Sequence, residues 1–271
     1  MPPRTESVID RVMRVLEAIG EGDRSLSAAE VARRTDLPIS TAYRIVEDLV
    51  EAQVLERDDR RRVYIGLRLW ELVIRSPRVS SLREVALPFM EDLNAVVNQH
   101  TTLYIVDKGE VLCLEMLSSK RSNSVNVMRP GSRLPILASA PGIVLAAFSQ
   151  ASVKEEFLKG KITAFTQYTI IDRDVLRKIV AETRKTGFAL TSGWIHAEST
   201  GLAVPIIGDD GTAVAALSIT SRRGEVEDLS LLSALNTSAR SISRLLYSGR
   251  KTTDPHGKLL RQRIRQAMAP S

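Results

Sequence analysis

Residues 25–66 read SLSAAEVARRTDLPISTAYRIVEDLVEAQVLERDDRRRVYIG, and the order of elements they imply decides the fold. Ser27 and Glu30 stand three apart, the spacing of a capping box that starts a helix. Val31 and Ala32 give that helix an apolar face, and Asp36-Leu37-Pro38 interrupts it. Pro38 suits the first turn of a second helix, where its missing N–H costs little. Ala42, Ile45, Val46, Leu49 and Val50 line one face of the second helix, while Ser40, Thr41, Tyr43 and Arg44 mark the other face near its start. Leu55-Glu56-Arg57 and Arg62-Val63-Tyr64-Ile65 flank Asp58 to Arg61 as a short hairpin. Helix, turn, helix and basic hairpin in this order predict a winged helix-turn-helix, which docks in a DNA groove.

Outward from this stretch, Val8, Val12, Val15, Leu16 and Ile19 repeat at helical spacing and predict a first helix over 7–20, closing a three-helix core. On the other side, Leu67, Leu69, Trp70, Leu72, Val73 and Ile74 form an apolar stretch that needs a partner. Two readings stand for it: a connecting helix with dimer contacts, or packing on the chain's own winged domain. Ser76-Pro77 and Ser80-Ser81 mark a linker. Beyond it, helices are expected over 82–98, 141–149, 152–159, 173–186 and about 226–248. Strands are expected over 101–106, 111–117, 124–128, 188–192, 202–207 and 213–220. Antiparallel-type strands with helices at both ends predict an α+β second domain. The expected division is 1–66 for DNA binding, 67–80 as linker helix, 81–249 as effector domain and 250–271 as a basic tail.

Charge needs to be read by region. The 271 residues carry a formal net charge of +6, yet residues 1–79 hold 14 Arg, no Lys and 14 acidic side chains. Residues 240–271 hold 8 basic side chains against one acidic, so the excess lies in the tail. Within the first half, residues 57–78 carry 7 Arg against three acids, and local clustering governs phosphate contact more than the sum does. The tail's Arg250, Lys251, Lys258, Arg261, Arg263 and Arg265 surround Leu259, Leu260, Ile264 and Met268, which fits either an amphipathic helix or a disordered basic arm. No apolar run approaches the roughly 20 residues of a membrane span. The N-terminus has no signal-peptide segment, so a cytoplasmic location is expected. The lone Cys113 excludes an intrachain disulfide, and in its alternating strand it behaves as a small hydrophobe. His100, His196 and His256 lack ligand spacing, so no metal is expected, nor any cofactor. His100 is expected to meet the carbonyls of a helix end.

The chain resembles the IclR family of bacterial transcriptional regulators over about residues 7–248. The resemblance rests on LPISTAYR at 37–44, the hairpin closing in Tyr64-Ile65-Gly66, and GSRLPILASAPG at 131–142. It continues through TGFA at 186–189, AVPI at 203–206 and ALSIT at 216–220. It implies a GAF-like antiparallel-sheet domain that binds a small organic acid or aromatic effector. It further implies assembly as a homodimer or tetramer, and repression or activation of a catabolic operon.

For DNA, Ser40, Thr41, Tyr43 and Arg44 are the expected groove contacts, an arginine being able to pair bidentately with guanine. Arg57, Arg60, Arg61 and Arg62 are the expected phosphate or minor-groove contacts of the hairpin. A two-fold protein implies an inverted-repeat operator. By matched position, the resemblance assigns the effector pocket to Asn126, Leu134, Ala140, Pro141, Gly201, Ser218 and Thr220, with Thr191 and Ser192 where many members place acids. Many members carry a cysteine at the Gly201 position, and a histidine where this chain has Leu137. The pocket should therefore be less charged and roomier. Trp194 could stack on an aromatic ligand or be a buried structural residue. No phosphate-binding glycine loop, paired histidines or nucleophile elbow is present, so no enzyme and no catalytic residue is expected. The competing reading is a constitutive DNA-binding oligomer, which predicts a filled pocket.

Overall fold

The computed structural model describes residues 6–20, 25–74, 77–119, 122, 125–160, 162–225 and 229–251. The chain divides into two compact units, 1–80 and 81–271. The first contains α1 (Val8–Gly20), α2 (Ala28–Thr35), α3 (Ile39–Glu51), β1 (Leu55–Arg57), β2 (Val63–Ile65) and α4 (Leu67–Ile74). Both arms of the capping box form: the Ser27 hydroxyl accepts from the Glu30 amide, and the Glu30 carboxylate accepts from the Ser27 amide at 2.8 Å. Asp36 ends α2 at φ 52, a left-handed conformation that a short polar side chain tolerates. Pro38 caps α3 from one position outside its first turn. Val15, Ile19, Val31, Ala42, Val46, Leu55 and Val63 fill the core between helices and hairpin.

Gly66 joins hairpin to α4 through a close approach. A Cβ there would lie 2.7 Å from the Gln53 carbonyl oxygen, and the Gly66 amide donates to the Val54 carbonyl at 2.8 Å. The Glu56 carboxylate accepts from the Leu67 amide at 2.9 Å and the Tyr64 hydroxyl at 3.0 Å. Those two bonds, the amide's first, hold its carboxyl below the usual range. Trp70, Leu72 and Val73 remain 58%, 56% and 58% exposed. Of the two readings of this stretch, these side chains do not follow packing on the chain's own winged domain.

The second unit is built on a six-stranded antiparallel sheet of β3 (His100–Asp107), β4 (Glu110–Leu117), β5 (Arg133–Pro135), β6 (Ala189–Ser192), β7 (Ser199–Ile207) and β8 (Ala213–Arg222). Its order is β5-β4-β3-β8-β7-β6. On one face, α5 (Pro77–Val97) and α9 (Leu229–Lys251) bury Leu82, Met90, Leu235 and Ile242 against Leu103, Leu217 and Ile219. On the other, α6 (Ala140–Ala147), α7 (Ala151–Lys159) and α8 (Arg173–Thr186) cover Tyr104, Cys113, Ala203 and Ala216. All of α6 is buried. A Cβ on Gly142 would overlap the carbonyl of Ile136 in the preceding 3-10 turn, so the start of α6 requires glycine.

Several expectations need correction. The helix expected from Leu82 begins at Pro77, a residue well suited to a first turn, and runs through Ser80-Ser81. Residues 125–128 alternate exposed side chains with less exposed ones but form no strand, because their backbone has no ladder partner. Instead the Ser199 hydroxyl donates to the Val125 carbonyl at 2.6 Å, and Asn126 Oδ1 accepts from the Met128 amide at 3.0 Å. The short strand β5, paired with β4 from Leu134 to Val111, was not foreseen. His100 belongs to β3 rather than a helix end, its Nδ1 accepting from the Ser119 amide at 3.3 Å. The expected basic tail lies outside the described residues from 252 onward. No described helix is long and apolar enough to cross a membrane.

Candidate DNA interface and effector cavity

On α3, the inward residues Ala42, Ile45, Val46 and Leu49 leave Ser40, Tyr43 and Arg44 exposed and Thr41 half-buried at the helix start. In a helix-turn-helix, the start of the second helix is the end that meets base edges. The wing separates its arginines into two roles. Arg60 and Arg61 are exposed at the tip, with Arg61 at φ 59. Arg62 turns back: its guanidinium donates to the Ser25 carbonyl at 2.8 Å and pairs with Glu30 at 3.1 Å. Arg57 pairs with Glu47 of α3. Sequence pattern placed all four together on a basic hairpin, whereas the fold uses two of them internally.

Asp58 organises the tip. Its Oδ1 accepts from the amides of Arg62 at 2.8 Å and Arg60 at 3.0 Å, and Oδ2 accepts from the Ser25 hydroxyl at 3.2 Å. The Arg62 amide first, then the Arg60 amide and the Ser25 hydroxyl, hold its carboxyl below the usual range.

In the second unit a cavity of about 480 Å³, including its open mouth, lies among the sheet, the start of α6 and the segment between β6 and β7. Asn126, Leu134, Ala140, Pro141, Thr191, Trp194, Gly201, Ser218 and Thr220 all line it. Ser192 does not: its neighbour Thr191 faces the cavity, successive strand residues point to opposite faces, and the Ser192 hydroxyl meets that of Thr200 at 3.1 Å. Ser218 and Thr220, two apart on β8, share the cavity face as alternation requires. Gly201 leaves space, since a Cβ there would approach the Thr191 hydroxyl at 3.4 Å and Ala140 at 3.6 Å. Trp194 is both wall and core, 6% exposed within the apolar cluster under α6. The lining contains no Lys, Arg, Asp or Glu among the described residues.

Residues 8–59 match the IclR helix-turn-helix domain, and residues 77–244 match the family described as bacterial transcriptional regulator IclR C-terminal. The chain belongs to the IclR family. It is similar to the crystal structure of an IclR homolog complexed with 4-hydroxybenzoate from Microbacterium hydrocarbonoxydans. That likeness has 36% identity and a TM-score of 0.80, and covers 88% of this chain and 98% of the other. It is 27% identical over 249 residues to the glycerol operon regulatory protein of Streptomyces coelicolor, covering 89% of this chain and 97% of that protein. It is 26% identical over 244 residues to the transcriptional repressor AllR of Escherichia coli, covering 88% and 89%. This IclR-family chain is thus a DNA-binding transcriptional regulator and not an enzyme.

The regulator's cavity also takes in Tyr104, Val125, Val127, Met128, Ser139, Ile195, His196 and Ser199, which sequence reasoning missed. Tyr104 and Ser218 follow from one rule, because Tyr104 pairs with Ala216 two places along β8. Burial, the main cause, raises the Tyr104 phenol above its ordinary range and keeps it a neutral donor. Burial also pushes the Cys113 thiol up to about 12, so it stays an inert hydrophobe behind this wall.

Proposed function

We propose that this regulator is a repressor of a catabolic operon, and that a small aromatic or carboxylated effector alters its affinity for an inverted-repeat operator. Residues 1–66 bind DNA, 67–80 connect, and 81–249 sense. The observation that carries this reading is the cavity, where a few polar groups converge in an apolar shell, the usual anatomy of a small-molecule site. A constitutive oligomer would have that space filled. The 4-hydroxybenzoate complex of a homolog supports an aromatic acid as effector. Kinship with a glycerol operon regulator and with a repressor supports the catabolic and repressing roles.

At the operator, Arg44 reads a base, Ser40, Thr41 and Tyr43 orient the helix, and Arg60 and Arg61 hold phosphates. Arg57 and Arg62 position the wing. The exposed Trp70, Leu72 and Val73 pair with a second copy, giving a homodimer. Coupling requires that the ligand favour one arrangement of that dimer, since equal affinity for both shifts nothing. The test is calorimetry of the full chain against aromatic and short-chain acids, with operator titration in the presence of each. Binding of an acid that changes operator affinity, lost when Ala140→Trp fills the cavity, is the expected result. No ligand in the panel, together with normal regulation by the Trp variant, overturns the sensor reading.

A further inference from the structure

We propose that Tyr168 and Arg223 are positioning residues that clasp the turn between β6 and β7, and that the cavity is entered and left when this clasp opens. The proposal rests on the cavity being the effector site.

The cavity does not admit a ring as it stands. About 60 Å³ of its space is open to a water-sized sphere. That is well under the about 150 Å³ of an engineered cavity that takes up benzene. A wall therefore has to move. Ala140 at the start of α6, with Ala203, Ala216 and Ser218 of the sheet, are at most 2% exposed, and displacing them would break close packing. The irregular walls are 125–128 and the turn between β6 and β7, which contributes Trp194, Ile195 and His196. The Ser199 hydroxyl ties the two together, donating to the Val125 carbonyl at 2.6 Å.

The contacts that hold this turn come from residues that do not line the cavity. In the segment joining α7 to α8, the Thr166 hydroxyl donates to the Gly193 carbonyl at 2.5 Å and the Thr169 hydroxyl to the Trp194 carbonyl at 2.6 Å. Between those two bonds, Tyr168 lies on Gly193, where a Cβ would fall 2.8 Å from the ring. Gly193 tolerates both that approach and its φ of 78. Arg223, just past β8, stands 3.7 Å from the centroid of the Tyr168 ring, and its amide donates to the Glu198 carbonyl at 2.7 Å. One residue thus grips the far end of the turn with its backbone and the segment over its near end with its side chain. Tyr168 is 37% exposed and Arg223 is exposed, so the stack can part without opening a core. An arginine on an exposed ring is a weak contact, of the kind that local opening breaks first.

Thiol labelling of the full chain tests this without any ligand. Gly201→Cys puts a thiol on the cavity lining, where a Cβ meets only ordinary contacts, the nearest at 3.4 Å. Dithiobis(nitrobenzoate), too large for the closed cavity, should label it slowly. Adding Tyr168→Ala should raise the rate about fivefold or more, and Arg223→Gln about two- to fivefold. The two together should label no faster than Tyr168→Ala alone, because either one undoes the same contact. Tyr168→Phe keeps a ring under the guanidinium and should stay within about twofold of the parent. Cys113, 1% exposed, is the control for general loosening, and its labelling in chains that retain Gly201 should not change. Parent labelling as fast as a free thiol's, equal rates in every variant, or Cys113 accelerated to the same extent overturns the clasp. A panel of acids without a binder overturns the sensor reading instead, while the thiol rates still decide what governs access.

Discussion

At the wing tip Arg61 stands free in solvent, while the guanidinium of Arg62 turns back onto Ser25 and Glu30. Their loss should register differently in anisotropy titrations of specific and random DNA at several salt concentrations. Arg44→Ala should cost about 1–3 kcal/mol on the operator and relax preference at one base pair. Arg61→Ala should weaken both DNAs alike and reduce the salt slope by about one. Arg62→Ala should also lower the melting temperature, which the loss of a solvent-exposed contact would not. Equal loss on specific and random DNA for Arg44→Ala would remove direct base readout from that residue. Asp58 adds a dependence on pH. Its carboxyl is depressed in the folded wing, so its contribution is complete above the ordinary value of 3.8 and is lost only as pH falls through the lowered one. The Arg60 and Arg62 amide shifts in NMR spectra should move with a midpoint below pH 3.8. A midpoint at or above that value would mean the caps are not formed. None of this division among arginines is legible in RDDRRR, because partners such as Ser25 and Glu30 are set by tertiary closure.

Among the elements, those with local signals were readable and those defined by a partner were not. Ser27 and Glu30 announced α2, Gly187 at φ 84 ends α8, and strand alternation put Ser218 and Thr220 on one face. Residues 125–128 carry a strand's alternation without a neighbour to pair with, and β5 is a strand of three residues only because β4 lies beside it. The GSRLPILASAPG stretch was recognised, but the reason for its glycine at 142, contact with the Ile136 carbonyl, appears only in three dimensions. For α4, exposure decides the expectation. Trp70→Glu with Val73→Glu should convert a dimer at micromolar concentration into a monomer by sedimentation, and should weaken operator binding. The unaltered protein sedimenting as a monomer would end the dimer reading. Half-sites about one helical turn apart, or a multiple of it, are the matching expectation for the operator.

At the scale of the whole molecule, the lack of Asp and Glu in the described lining of the cavity was legible through the resemblance, which sets Thr191 and Gly201 where many family members carry an acid and a cysteine. The wall at Ile195, His196 and Ser199 was not, since that segment returns to the sheet by a turn with no hydrophobic period. The first unit's core and the second unit's two cores are separate clusters.

The burial of α6 ties two properties to one set of atoms. Its start, Ala140 and Pro141, walls the cavity, and its body is the centre of a core. A molecule that occupies the cavity therefore binds only while that core is assembled, and saturation acts directly on the folding equilibrium. At a concentration 100 times its dissociation constant, such a ligand adds about 2.7 kcal/mol to the stability of the second unit. In a domain of this size that raises the melting temperature by roughly 5–10 °C. Heat thus becomes a detector, and the thermal shift alone can sort a library of small molecules without knowledge of the operator.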